Sequence, residues 1–135
     1  MPVPENIVQF HAQALKIFGA LYLAHPRAVY IDPEFVYGRD TDDRDEIEFA
    51  QGTIRYLVEN GYVNAESVGD YDELRLNARS WAALDKPNPL EPTQSIGQSA
   101  SRWAKDAASS AGKDGVSALG GIALKTVAMA LGLPG

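Results

Sequence analysis

The chain has 135 residues, enough for one domain or one small domain with an appendage, and its 45% hydrophobic and 22% charged residues mark a globular rather than a disordered chain. With no cysteine there are no disulfides, no thiol nucleophile and no cysteine-ligated zinc, and the composition fits a reducing cytoplasm. The net charge of −6 is unevenly spread: residues 1–92 hold eight Lys and Arg against sixteen Asp and Glu, whereas residues 93–135 hold four against two.

The opening segment "MPVPENIVQFHAQ" lacks a basic stretch followed by an apolar one, so no signal peptide is expected there. "PENIVQFHAQALKIFGALYLAHP" places Ile7, Phe10, Ala14, Ile17, Phe18, Leu21 and Tyr22 on one helical face, with His25-Pro26 as the stop. In "YIDPEFVYG", Asp32 is a natural N-cap, Pro33 suits the first helical position and Gly38 suits a left-handed end, which predicts a helix of about two turns. The third predicted helix, "RDTDDRDEIEFAQGTIRYLVENG", starts among Asp40, Asp42, Asp43, Asp45 and Glu46. Asp43 and Glu46 have capping-box spacing, and carboxylates at a helix start interact favourably with its dipole. Ile47, Ala50, Ile54, Leu57 and Val58 form its apolar stripe.

"YVNAESVGDYDELRLNA" reads as a hairpin, with Tyr62, Val63 and Ala65 on one arm, Leu74 and Leu76 on the other, and "VGDYD" as the turn. "NARSWAALD" follows as a short helix capped by Asn77, with Trp81 and Leu84 facing inward. Pro87, Pro89 and Pro92 then argue for a linker over residues 87–94. Residues 95–135 read as one or two amphipathic helices, interrupted near Gly112–Gly115 and weakened at Gly120-Gly121. The apolar end of that segment, from Val116, carries Lys125 near its middle and is rich in Ala, Gly and Ser, so a membrane span is not expected.

The order helix, short helix, helix, two-strand wing over residues 5–86 resembles the winged helix-turn-helix superfamily. So does a helix ending at Asn60-Gly61 just before the wing. After the wing, Leu76, Asn77, Ser80 and Leu84 are similar to a Leu-Thr-x-x-Gly-x-x-x-Leu run common in such domains, with Asn77 standing for the capping Thr and Ser80 departing from the Gly. More narrowly, the layout resembles small bacterial and phage proteins that join an acidic winged helix to a Ser/Ala/Gly-rich helical tail. The expected fold is therefore mainly α with a small β-hairpin, α+β. It has a winged-helix-like core over residues 1–86, a Pro-rich linker over 87–94 and an amphipathic helical tail over 95–135.

The resemblance implies a third helix that enters a DNA groove, and affinity for DNA rests on cationic contacts to phosphate. Here that helix carries Asp42, Asp43, Asp45, Glu46, Glu48 and Glu59 against Arg44 and Arg55, with its acid at the end that meets bases. The wing adds Glu66, Asp70, Asp72 and Glu73 against Arg75. Nucleic acid is not the expected partner; were it bound, Arg39, Arg44, Gln51 and Arg55 are the candidate contacts.

No catalytic residue, cofactor or metal is expected. "DTDDRDE" lacks the spacing and glycine of an EF-hand loop, His11 and His25 have no catalytic or metal pattern, and no Walker loop or nucleophile elbow occurs. The expectation is a non-enzymatic cytoplasmic module that binds a protein partner or forms a homo-oligomer. The tail would present Ile96, Ala100, Trp103, Ala107, Val116, Leu119, Ile122, Ala123, Val127 and Leu131 as the interface, because a long helix cannot bury its apolar stripe alone and must dock on its own domain, on a second copy or on another molecule. A winged-helix regulator of DNA is the alternative. Peripheral membrane association by the tail is a second one, with Lys105, Lys113 and Lys125 toward headgroups.

Overall fold

The computed structural model describes residues 3–67, 70–105 and 112–133. Helix α1 (Glu5–Ala24) is the element around which the others pack: Ala14, Leu15, Ile17, Phe18 and Leu21 are fully buried on it. The sequence predicted a single apolar face. Leu15 and Gly19 are buried as well, because α1 is covered by other helices on more than one side.

A two-residue strand, β1 (Val29–Tyr30), follows; a segment this short shows no alternation for sequence reading to detect. Helix α2 (Pro33–Tyr37) has the predicted ends. The Asp32 carboxylate accepts the Phe35 N–H at 2.9 Å, and Gly38 turns left-handed at φ 71°. Helix α3 (Arg44–Glu59) starts at Asp43, which accepts the N–H groups of Asp45 and Glu46 at 2.9 and 3.2 Å. It buries Ala50, Thr53, Ile54 and Leu57.

The wing is β2 (Asn64–Ser67) against β3 (Asp70–Arg75), and β1 pairs on the other side of β3, giving an antiparallel sheet of order β1-β3-β2. The predicted turn at "VGDYD" falls partly on residues 68–69, outside the described residues. Helix α4 (Ala78–Leu84) begins at Asn77, whose carbonyl oxygen accepts the Ser80 N–H at 2.9 Å. Asn77 also donates to the Gly61 carbonyl at 3.0 Å, which ties the post-wing helix to the corner after α3. Ser80 is fully buried and donates to the Tyr62 carbonyl at 2.7 Å. The fold is mainly helical with small antiparallel sheets, an α+β architecture.

The expected linker is a correction. Residues 87–94 fall within a second hairpin, β4 (Pro87–Asn88) against β5 (Glu91–Ser95). Prolines are tolerated there because each strand of a two-stranded ribbon has an edge on which no N–H is needed. Asn88 fixes the hairpin: fully buried, it accepts the Leu90 N–H at 2.9 Å and donates to Ser99 Oγ at 2.9 Å. Ser95 and Gln98 then form a reciprocal capping box, at 2.8 and 3.0 Å, that starts α5 (Ile96–Lys105). That S-x-x-Q signature stands in the sequence and went unread.

The tail also needs correcting. Helix α5 and helix α6 (Gly112–Leu131) fold back onto α1, and α6 reaches α4 too. A single cluster of buried apolar side chains runs from Ala14 to Val127. Gly112–Gly115, read as an interruption, is the first turn of α6; residues 106–111 lie outside the described residues. Gly120-Gly121, read as a weakness, is where α6 crosses α1. A Cβ on Gly120 would collide with the His11 carbonyl. Similarly, a Cβ on Gly19 would stand 2.7 Å from the Ser101 nitrogen, and one on Gly97 would enter the Tyr22 ring. Three glycines thus set how closely α1 approaches α5 and α6. Helix α1 is also long and apolar enough to cross a membrane by length and composition, but here it is the core helix.

Candidate functional site

Helix α3 turns one face away from the core. Arg44, Glu48, Gln51 and Arg55 fall on it at spacings of four, three and four, and all are exposed. The structure therefore brings together three of the four candidate DNA contacts. Arg39 is not among them. Its guanidinium grips Glu46 through both nitrogens, at 3.2 and 2.8 Å, and its charge is already matched. Arg44 is loosely paired with Glu48 at 3.6 Å, both well exposed, so that pair contributes little to stability.

Glu46 also accepts the Thr41 hydroxyl at 2.6 Å, while Thr41 Oγ1 accepts the Asp43 N–H at 3.2 Å. The return bond of the expected capping box thus runs through Thr41 rather than directly from Glu46. Arg39 first, then Thr41, holds the Glu46 carboxyl below the usual carboxylate range. A depressed carboxylate stabilises the fold fully above its unfolded value, about 4.3, and that contribution is lost as pH falls through the folded value. Urea midpoints followed from neutral pH into the acid range are expected to fall more steeply for the native protein than for Glu46→Gln. Parallel curves would remove the Arg39–Glu46 clasp as a determinant of the α3 start.

Beside this face lies a groove of about 500 Å³ between the start of α1 and the middle of α3. Its walls are Ile7 and Phe10 from α1 and Phe49 and Tyr56 from α3. Phe10 and Tyr56 meet edge to face, with ring centroids 5.2 Å apart, and Tyr56 remains 46% exposed. Beneath it the buried Thr53 hydroxyl donates its one proton to the side-chain oxygen of buried Gln13 at 2.9 Å or to the Phe49 backbone carbonyl at 3.1 Å. What the groove offers is therefore mainly apolar surface. Gly52 lines it in mid-helix, where glycine costs about 1 kcal/mol relative to alanine. A Cβ there would meet nothing within 4 Å, so packing within the chain does not call for the glycine. Sequence reading followed the buried stripe of α3 and passed over Phe49 and Tyr56. Their spacing around Gly52 was the available signal.

The remaining candidates take structural places. A shallow recess by Glu34, Asp40, Thr41 and Asp42 is acidic, and Asp40 raises the Glu34 carboxyl above its usual range. Among the described residues no three of His, Asp and Glu converge to hold a metal. His11 lies at the α1–α6 crossing, where burial lowers its pKa. His25 stacks on Trp81, which also lies parallel to Tyr22 at 6.5 Å. Trp81 is therefore a half-buried bridge between α4 and the end of α1 rather than a fully inward core residue.

Of the predicted tail interface, Ile96, Ala100, Val116, Leu119, Ala123 and Val127 are buried in the chain's own core. Trp103, Ile122 and Leu131 are partly buried and packed against it. Ala107 lies outside the described residues. Of the three places where this apolar stripe could dock, its own domain is the one that covers it. Comparison with known proteins adds no relative: no family model, no curated protein and no solved structure matches the chain.

Proposed function

We propose that this chain is a non-enzymatic, cytoplasmic interaction module that engages a protein partner through the outer surface of α3. The observation that carries this reading is the sign of the charge on that surface. From Arg39 to Asn60 there are seven carboxylates and three arginines, and Asp42, Asp43, Asp45 and Glu48 crowd the exposed N-terminal end. A helix that reads a duplex brings that end to the base edges, between two rows of phosphates. This one would bring like charge, and affinity for DNA depends on cations.

The second reading, a DNA regulator, is favoured by the winged-helix-like layout and by Gln51 and Arg55 standing exposed on one face. Titrating the full chain against labelled mixed-sequence duplex at low and physiological salt separates the two. Negligible binding at either salt is expected. Binding that falls steeply with salt, and falls again in Arg44→Ala and Arg55→Ala, would establish the DNA reading instead.

A further inference from the structure

Resting on the interaction reading above, we propose that the groove between α1 and α3 is a docking site for a cationic amphipathic helix of another protein, whose apolar anchors enter between Phe10, Phe49 and Tyr56. Two independent observations support this. The first is Gly52. Gly19, Gly97 and Gly120 each have a neighbour that occupies the space a side chain would need, and Gly38, Gly61 and Gly132 each have a positive φ that favours glycine. Gly52 has neither reason within its own chain. The room it leaves adjoins the aromatic walls, where an incoming side chain would use it.

The second observation is charge. Glu48 lines the groove, and α3 with the segment before it carries an excess of carboxylate. Arg39 and Arg44 pair with Glu46 and Glu48, which leaves Asp40, Asp42, Asp43, Asp45 and Glu59 against Arg55 in that stretch. Helix α3 and the segment before it are therefore net negative. An apolar cleft with a negative border suits a helix bearing an apolar stripe flanked by Lys and Arg, the helix-in-groove mode of recognition. A second copy of this chain, itself at −6, is poorly suited to the same border.

The test uses the full chain and a labelled helical peptide with Leu and Trp on one face and Lys on the other, beside the same peptide with Glu for Lys. The chain is expected to bind the lysine peptide saturably at one site and to bind the glutamate peptide at least tenfold more weakly. Gly52→Leu fills the groove without changing charge and places a good helix former in α3. With an undiminished melting temperature, it is expected to lose at least tenfold in affinity. Glu48→Lys should weaken binding several-fold, and Glu73→Lys on the wing should leave it unchanged. Equal affinity in Gly52→Leu and the native chain would overturn the groove assignment. So would a native dimer that Gly52→Leu converts to monomer, since the occupant would then be a second copy. The duplex titration above separates the two levels. DNA binding defeats the interaction reading itself, whereas indifference to Gly52→Leu without DNA binding defeats only the groove.

Discussion

Replacing Gly120 with alanine is expected to destabilise the protein by about 1–2 kcal/mol, while the same replacement at Gly52 stabilises it by roughly 0.5–1 kcal/mol. The two sites share local chemistry, since each is a glycine inside a long helix and each gains about 1 kcal/mol of helix preference from a methyl group. They differ in what the methyl group meets. At Gly52 it meets open space. At Gly120 it meets the His11 backbone carbonyl, which cannot rotate aside as a side chain would. Relief requires α6 to move off α1, loosening the contacts around Leu119, Ala123 and Val127, all fully buried. Overpacking of this kind costs about 1–3 kcal/mol or more and outweighs the helix gain. Urea denaturation of both variants beside the native protein measures the pair of signs. A Gly120→Ala variant as stable as the native chain would mean that α1 and α6 do not cross at His11.

The second large effect is expected on truncation. A chain ending at Lys86 keeps α1 to α4 and the three-stranded sheet but is expected not to fold cooperatively. It loses Ile96, Val116, Leu119, Leu124 and Val127 from the core, all nearly or completely buried. At about 2 kcal/mol for each large aliphatic side chain, the deficit is on the order of 10 kcal/mol, comparable to the whole stability of a typical domain. The faces of α1 that α5 and α6 cover would also be left in water. Near-ultraviolet circular dichroism and a urea titration of the truncated chain would decide. A sharp transition and native-like aromatic signals from residues 1–86 would show that the C-terminal helices are an accessory after all.

These expectations also mark what the sequence made legible. Caps and stops were readable because they are local: Asp32, Gly38, Asp43 and Asn77 each act within a few residues of themselves. The stripe of α3 was readable because one face of it is buried. The packing of α1 was only half readable, since periodicity reports that a face is apolar but not how many neighbours surround the helix. The hairpin at 87–95 was hidden by its prolines, and its real signal, a buried Asn88 bonded to Ser99, depends on a contact that spacing does not reveal. Gly120 looked like a flaw because its reason lies about a hundred residues away at His11. The candidate surface was legible in its charge and invisible in its shape. The acids of α3 can be counted from the sequence, but the groove exists only once α1 lies beside Phe49 and Tyr56.

The dependence of α1 on α6 has a consequence for synthesis. Helix α1 leaves the ribosome well before it can be fully covered, because the segment that shields it is made about a hundred residues later. Until α6 emerges, the face of α1 around His11 stays open to chaperones and to neighbouring nascent chains, and closure requires contacts of long sequence separation, which form slowly. Burial of α1 therefore waits on the emergence of α6.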